Sequence, residues 1–270
     1  MRPRWIALLS ASIAVLVGVM AWVAIGAGIG IGTGTLPTTR GDTEASREFA
    51  ATDVFTVTDD GTLTPQPGAR AGVVWDQLLR VTTPEFARTM ITEYQTGDDP
   101  DSDTLAYVAS ADDPTKWVVA ANLAYADDAD ILLATLVHEY THMLSLGADD
   151  TDAAATQCDT EWAGSGCLLP DADLERFALR FWSDYADAPA RDNVDVDVAW
   201  DFYQAHEVDF VSDYAATNAS EDFAETFATY VLEPETDAAD SAIAQKFAFF
   251  TALPEYAAAR DRIRAEFGLD

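Results

Sequence analysis

The chain has 270 residues, of which 47 are acidic and 15 basic, so its formal net charge at pH 7 is −32. A surface with this charge repels nucleic acid phosphates and anionic lipid headgroups, which argues against nucleic acid as a partner and against binding to a bilayer through the surface. Such acidity most often serves solubility, although it also attracts metal ions and other cations at long range.

The N-terminus carries a long apolar run, residues 5–31, preceded by Arg2 and Arg4. About 20 such residues cross a bilayer as a helix, and arginines on its N-terminal side favour a cytoplasmic N-terminus. We therefore expect residues 1–36 to form a cytoplasmic stub and a single-pass anchor in the cell membrane, with the rest of the chain extracytoplasmic. The alternative is secretion after signal cleavage, because Ala24 and Gly26 are small residues at the spacing of a cleavage site.

The segment after the anchor, residues 37–71, is rich in Gly, Thr, Pro and charged residues, with one short β-like run at residues 54–58. This composition is typical of a linker. From residue 72 onward the apolar periodicity is continuous. Residues 72–270 are therefore expected to form one domain with its own hydrophobic core.

Within this domain, two predicted strands precede a series of predicted helices. The strands lie at residues 104–110 and 116–124, and both are rich in apolar residues. The helices are predicted at residues 130–146, 171–185, 197–214, 220–232, 240–253 and 254–267. A small sheet followed mostly by helices is an α+β pattern.

The only two cysteines, Cys158 and Cys167, lie close together in the sequence. In an extracytoplasmic domain, such a pair is expected to form a disulfide. Their spacing is too long for the CxxC half of a zinc site, and a second pair is missing from the sequence. The disulfide is therefore interpreted as structural.

The predicted helix at residues 130–146 contains the sequence HEYTH. Histidines at i and i+4 lie on one side of a helix, so the ring nitrogens of His138 and His142 can reach the same metal ion. Glu139 is rotated by about a quarter of a turn, so it can reach a water on that ion without being a ligand itself. This is the HExxH pattern of zinc enzymes, and it predicts one Zn²⁺ per chain.

Two histidines need a third protein ligand, which has to come from elsewhere in the chain. The metzincin extension of HExxH is excluded, because Ser145 and Ala148 stand where it requires glycine and histidine. Asp149 and Asp150 follow the predicted helix end at a poor position for a ligand. His206 is the only other histidine, and we interpret it as a surface or packing residue.

Two carboxylates, Glu221 and Glu225, share one strip of the helix predicted at residues 220–232, and this strip continues with apolar residues. Carboxylates on an enclosed strip need a partner, and a divalent cation is one. Glu221 also suits a helix N-terminus, where Asn218 would be the capping residue. The residues alone leave the ligand and the cap equally open.

The HEYTH motif, followed downstream by YAATNASEDFAE, resembles the catalytic domain of anthrax-lethal-factor-type zinc peptidases, which are gluzincins. The resemblance covers roughly residues 117–232 and implies a zincin-like fold. It implies that Glu221 is the third zinc ligand and that Glu139 is the general base. It also implies that Tyr214 steadies the developing oxyanion or assists the leaving amine, and that Glu225 orients a zinc-bound histidine.

These expectations describe a membrane-anchored zinc metallopeptidase that cleaves a peptide or protein substrate. The strand at residues 116–124 is expected to pair with an extended substrate as a sheet edge. Two alternatives stay open, a non-catalytic envelope module that zinc stabilises for binding or scaffolding, and a zinc hydrolase of non-peptide amides. Glu139 and Tyr214 argue against the first alternative, because a structural zinc site needs neither.

Overall fold

The computed structural model describes residues 49–155, 157–164, 166–234 and 241–269. The predicted membrane anchor and the first part of the predicted linker lie outside these residues. Within them, no helix combines the length and the apolar character that a bilayer span needs. The described chain forms a small main sheet and several helices, which confirms the α+β prediction.

A five-stranded sheet forms one layer of the fold, with the strand order β2-β1-β3-β5-β4. Its strands are β1 (Asp53–Val57), β2 (Leu63–Thr64), β3 (Ile91–Gly97), β4 (Ala106–Ser110) and β5 (Trp117–Asn122). Strands β3 and β5 run parallel, and the other neighbours run antiparallel. On the side of β4 away from β5, no described strand is paired, so β4 is an edge of the sheet.

The two predicted strands, at residues 104–110 and 116–124, are confirmed as β4 and β5 with slightly shorter bounds. The prediction that the second strand forms a sheet edge is wrong, because β5 lies between β3 and β4. Residues 119–121 of β5 are buried, as expected of an apolar strand that is paired on both sides.

The linker predicted for residues 37–71 is wrong for its described part, because β1 and β2 belong to the main sheet. Phe55 of β1 is buried, and its ring stacks on that of Tyr94 in β3 with 5.7 Å between the centroids. Three of the other four residues of β1 are exposed and two of the four are polar, so this strand has only one buried apolar residue to distinguish it from a linker. The folded domain therefore begins before residue 72.

Helices form about half of the remaining residues that the structure describes. The helices are α1 (Ala69–Thr82), α2 (Pro84–Met90), α3 (Ala129–Ser145), α4 (Asp173–Phe181), α5 (Val196–His206), α6 (Ala219–Leu232), α7 (Ala242–Thr251) and α8 (Pro254–Phe267). A small hairpin of β6 (Thr151–Asp152) and β7 (Cys167–Leu168) lies between α3 and α4. Cys158 and Cys167 form the predicted disulfide at this hairpin.

Four predicted helices are confirmed within two residues at each end as α3, α6, α7 and α8. Local capping explains the start of α3, where Asp128 Oδ1 accepts the backbone N–H groups of Asp130 and Ile131 at 3.2 and 3.1 Å. The helix ends at Ser145, two residues before Gly147. The capping aspartate and the glycine lie in the sequence next to the helix ends, so the bounds of α3 can be predicted from the sequence alone.

The helix predicted at residues 171–185 is shorter in the structure, where α4 ends at Phe181. The next residue, Trp182, turns its ring toward α6, and its Nε1–H donates to Asp222 Oδ2 at 2.8 Å. This long-range hydrogen bond directs the chain away from the helix axis.

The helix predicted at residues 197–214 is also shorter, because α5 ends at His206. The chain then forms two 3₁₀ turns, Glu207–Asp209 and Tyr214–Ala216. Lys246 in α7 donates from Nζ to the carbonyl oxygen of Asp209 at 2.8 Å. This contact occupies a backbone acceptor that a longer helix would use within itself.

Helix α6 is held between α3 on one side and an aromatic core on the other. The rings of Phe223 in α6 and Phe250 in α7 lie 4.8 Å apart, and those of Phe223 and Phe177 in α4 lie 5.2 Å apart. Phe227 packs on the same core against Tyr256 of α8. Because this face of α6 is fixed by large buried rings, the opposite face is fixed toward α3.

Candidate metal centre

Helices α3 and α6 bring His138, His142 and Glu221 together. The Nε2 atoms of the two histidines lie 3.0 Å apart. Glu221 Oε2 lies 3.1 Å from Nε2 of His138 and 3.4 Å from Nε2 of His142. In the part of the chain that the structure describes, this is the one group of three side chains that offers ligand atoms close enough to share a metal ion.

The start of α6 explains why Glu221 is available to this group. Asn218 caps the helix, and its Oδ1 accepts the N–H groups of Ser220 and Glu221 at 2.9 and 3.0 Å. The carboxylate of Glu221 points to the histidines instead of the helix end. The sequence left two roles open for Glu221, metal ligand or part of the helix cap. Because Asn218 caps the helix, the carboxylate of Glu221 is available as a ligand.

Unpaired buried oxygens indicate that a cation fits between these side chains. Glu221 Oε2 and both carboxylate oxygens of Glu139 are buried and, among the described residues, have no hydrogen-bond partner. Leaving such oxygens unpaired away from water is costly, whereas a cation bound to the group would satisfy that of Glu221. Two imidazoles and a carboxylate are a donor set that suits a divalent transition metal.

Glu225 lies one helical turn after Glu221 and contacts the other nitrogen of the same imidazole. Its Oε1 is 2.8 Å from Nδ1 of His138. Its Oε2 accepts a hydrogen bond from the hydroxyl of Ser212 at 2.7 Å. Glu225 therefore occupies the position that the resemblance implies for a residue that orients a metal-binding histidine.

The ionised carboxylate of Glu221 favours the binding of a cation by this group. Burial lowers the pKa of His138, but the close approach of Glu221, the hydrogen bond to Glu225 and the charges of both carboxylates raise it to about 10. Burial raises the pKa of Glu221, but the imidazoles of His142 and His138 next to its carboxylate lower it to about 2. For the protein chain alone, a proton on His138 thus balances an ionised carboxylate, and a bound metal ion would replace this proton.

Glu139 follows His138 directly in α3 and is completely buried. Burial raises the pKa of Glu139 to about 8, against the lowering effect of the charge of His138. The charge of Glu221 adds to the increase. This carboxyl group therefore binds a proton more readily than an ordinary glutamate does.

Tyr214 lies beside the group in the turn Tyr214–Ala216. Its ring centroid is 6.0 Å from that of His138. The ring also packs in a small apolar cluster with Leu105, Tyr125 and Ile131. The structure thus brings the tyrosine of the second motif next to the histidines, although the prediction put it at the end of a long helix.

The group is closed to solvent in this conformation. His138, Glu139 and His142 are 0% exposed, and Glu221 is 3% exposed. The small side chains around the histidines are buried as well, among them Ala134 and Ser145 at 8% and 3% exposure.

A cavity of about 320 Å³ begins one helical turn from His138, between α3 and α6. Its apolar wall comes from Ile131, Leu133, Ala134, Val211, Ala228 and Leu232. Glu225 contributes to its lining, and Asp128, Asp130 and Glu233 add further carboxylates. The sequence analysis missed this cavity, because it depends on how two distant helices meet.

The other candidate residues lie away from the group. His206 Nε2 is 3.0 Å from Asp187 Oδ2, and its ring packs on Tyr185 and Phe202, which confirms its interpretation as a surface or packing residue. Asp149 and Asp150 lie in a 3₁₀ turn after α3 and are not in the group of ligand atoms.

Ser212 was also missed by the sequence analysis. It lies two residues before Tyr214, and a lone serine next to a motif carries no pattern that singles it out. The structure singles it out, because its hydroxyl donates a hydrogen bond to Glu225 and accepts one from the backbone N–H of Ala215.

Comparisons with protein-family models, with curated proteins and with solved structures give no match to this chain, so the functional argument rests on the residues of the site.

Proposed function

We propose that the protein is a zinc-dependent endopeptidase in which His138, His142 and Glu221 hold the metal. The observation that carries this proposal is the convergence of three ligand atoms that lie 3.0 to 3.4 Å apart. A tetrahedral ion with bonds of about 2.0–2.1 Å separates its ligand atoms by roughly 3.4 Å. Two histidines and a glutamate are also the protein ligands of one class of catalytic zinc site.

Zinc bound here would supply Lewis-acid chemistry for hydrolysis of a peptide bond. Glu139 acts as the general base and receives the proton of the attacking water on a carboxylate oxygen. Its raised pKa suits a group that has to hold this proton before giving it to the leaving amine, and the charge of a bound cation would lower this pKa so that the carboxylate is ionised when the water attacks. The Tyr214 hydroxyl donates a hydrogen bond to the developing oxyanion.

The edge of β4 that is not paired with another described strand supports a peptide substrate. Leu105 O accepts the N–H of Asn122, so residues 105 and 107 direct their backbone groups toward β5. By the alternation of an antiparallel ladder, Ala106 and Val108 direct theirs away from it. The N–H of Val108 faces the Glu139 carboxylate and lowers its pKa, without reaching normal hydrogen-bond geometry. Ala106 and Val108 are each 1% exposed, so an extended peptide would pair with β4 next to the general base only after the closed conformation opens.

The cavity between α3 and α6 supports an apolar side chain next to the scissile bond. Its wall is mainly apolar, and it begins one turn from a metal-binding histidine. The carboxylates of Asp128, Asp130 and Glu233 in its lining favour a basic residue nearby in the substrate. The substrate class that fits best is a peptide with an apolar residue flanked by positive charge.

Because the HEYTH and YAATNASEDFAE motifs resemble those of gluzincin peptidases, the proposal includes membership of that group and a zincin-like fold. The disulfide between Cys158 and Cys167 supports an oxidising, extracytoplasmic compartment. The apolar run at residues 5–31 supports a single-pass anchor in the cell membrane, with secretion after cleavage as the alternative.

A second candidate function is a non-catalytic envelope module that zinc stabilises for binding or scaffolding. The complete burial of His138, Glu139 and His142 favours it, because a catalytic metal has to be reached by substrate. Both functions need the same metal. The peptidase requires the closed conformation to open for a peptide, whereas the binding module does not.

The full chain, purified in detergent micelles, tests these functions. Its zinc content would be measured by elemental analysis, and its cleavage of a peptide library would be followed with and without a chelator. One zinc per chain with chelator-sensitive cleavage supports the peptidase. One zinc without cleavage of any peptide supports the binding module, and cleavage of simple amides alone supports a non-peptide hydrolase. A metal-free chain that cannot be loaded with zinc contradicts all three.

A further inference from the structure

We propose that Ser212 is a positioning residue, and that its single hydroxyl group fixes both a metal-binding histidine and the turn that carries Tyr214. The inference rests on the proposed metal site. Ser212 is 6% exposed, so its hydrogen bonds are protected from water. Its Oγ donates to Glu225 Oε2 at 2.7 Å and accepts the backbone N–H of Ala215 at 3.0 Å.

The first of these hydrogen bonds acts on the metal ligand through Glu225. The other oxygen of Glu225, Oε1, lies 2.8 Å from Nδ1 of His138. A carboxylate that is held at both oxygens cannot rotate, so it keeps the Nδ1–H of the imidazole toward itself. The Nε2 lone pair of His138 then points to the metal position, next to Glu221.

The second hydrogen bond acts on Tyr214. By accepting the N–H of Ala215, the hydroxyl of Ser212 closes the turn Tyr214–Ala216 from its N-terminal side. This turn sets the tyrosine ring 6.0 Å from the ring of His138. The distance between the catalytic tyrosine and the metal ligand is thus fixed through one side chain.

Loss of the hydroxyl leaves an oxygen of Glu225 buried without a donor. Glu225 is 3% exposed, so water does not replace the lost partner without rearrangement. The carboxylate then turns to find another donor, and the imidazole of His138 turns with it. Metal affinity and metal geometry change together, which a purely structural defect elsewhere in the core does not produce.

Three variants of the full chain test the inference, each compared with the wild type in micelles. Ser212→Ala removes the hydroxyl, and Ser212→Cys keeps the shape but donates only weakly. Thr82→Val is the matched control, because Thr82 is buried and its hydroxyl donates only to backbone carbonyls in α1 and next to it. Zn²⁺ affinity is measured by competition with a chromophoric chelator, and the geometry of the site by the visible absorption of bound Co²⁺.

We expect Ser212→Ala to weaken Zn²⁺ binding by about 10-fold, the lower end of the loss that follows mutation of a residue bonded directly to a metal ligand, because Ser212 acts on His138 through Glu225. The Co²⁺ spectrum should change as well. Ser212→Cys should show a smaller loss with the same spectral change, so the test stands even where the alanine variant does not fold. Thr82→Val should match the wild type in both measurements.

The inference is overturned if both Ser212 variants bind Zn²⁺ within twofold of the wild type and give its Co²⁺ spectrum. It is also overturned if Thr82→Val weakens binding as much as they do. A wild type that binds zinc tightly but cleaves no peptide contradicts the proposed peptidase and leaves these metal measurements as support for Ser212. Failure of the peptidase proposal can therefore be distinguished from failure of the inference about Ser212.

Discussion

The imidazole of His138 lies between Glu221 and Glu225, with Nε2 at 3.1 Å from Oε2 of the first and Nδ1 at 2.8 Å from Oε1 of the second. The two carboxylates are one turn apart on α6, a spacing that places both on one side of the helix. One histidine of α3 is thus held at both nitrogens by a single neighbouring helix. A metal ion bound to His138 and Glu221 would link α3 to α6 at this position.

Removal of the metal should therefore destabilise the fold. Glu139, Glu221 and Glu225 are all buried in the same small volume, where a divalent cation offsets their charge. At a free zinc concentration of 100 times Kd, binding stabilises the folded state by about 2.7 kcal/mol. Thermal unfolding of the chain with added zinc and with excess chelator measures the difference, and identical melting temperatures contradict it.

Replacing Glu139 by glutamine should leave zinc binding unchanged and remove peptide hydrolysis. The amide keeps the size of the side chain but cannot accept the proton of the attacking water. General-base catalysis contributes about 10²- to 10⁴-fold to the rate, so kcat should fall within this range or below detection. Glu207→Gln is the control, because Glu207 is exposed in a turn after α5. A Glu139→Gln protein with full activity contradicts the proposed role.

Tyr214→Phe should lower kcat with little effect on zinc affinity. Loss of one donor to an oxyanion costs about 10²- to 10³-fold in rate. Tyr125→Phe is a matched control in the same apolar cluster, since the Tyr125 hydroxyl donates to the carbonyl oxygen of Ser102 at 2.8 Å. Equal losses in the two variants would mean that Tyr214 acts only by packing.

Filling the cavity should change which peptides are cleaved. Ala134→Leu adds apolar volume to a cavity of about 320 Å³, so the added atoms find space instead of clashing with α6. We expect cleavage next to large apolar residues to fall at least about tenfold relative to cleavage next to alanine, a difference of about 1.4 kcal/mol in transition-state binding. The ratio of kcat/KM for two matched peptides measures this effect. An unchanged ratio contradicts the assignment of the cavity to substrate binding.

The parts of the fold that were predictable from sequence carry local signals. Helix α3 has Asp128 at its start and two histidines one turn apart, and α6 has Asn218 at its start. Propensity, capping and apolar periodicity agree in both helices, so the bounds of both, and the side of α3 that carries His138 and His142, follow from neighbouring residues.

The parts that were not predictable depend on distant residues. Strand β3 was not predicted, because its polar sequence ITEYQTG becomes a strand only between β1 and β5. The 3₁₀ turn at Tyr214–Ala216 replaces a predicted helix, since Ser212 donates a hydrogen bond to Glu225 in α6 and Lys246 in α7 donates one to the carbonyl oxygen of Asp209. The choice between ligand and cap for Glu221 likewise needed the contact with α3.

A buried ion pair that involves Asp222, the residue after Glu221 in α6, gives a further prediction on stability. Lys246 Nζ lies 2.6 Å from Asp222 Oδ2, and both side chains are almost completely buried. Trp182 Nε1–H donates to the same oxygen at 2.8 Å, and the Thr226 hydroxyl donates to the other at 2.8 Å. The Asp222 carboxylate thus depends on Lys246 for its only counter-charge in this network.

Lys246→Met should destabilise the domain by about 3–5 kcal/mol, because it leaves the charge of Asp222 buried without compensation. The double variant Asp222→Asn with Lys246→Met should recover a large part of this loss, since it removes the uncompensated charge and keeps an amide for Trp182 and Thr226. Urea denaturation of the zinc-loaded wild type, both single variants and the double variant gives the coupling energy. Additive losses would mean that the ion pair contributes nothing of its own, and that α7 is held to α6 by the aromatic core alone.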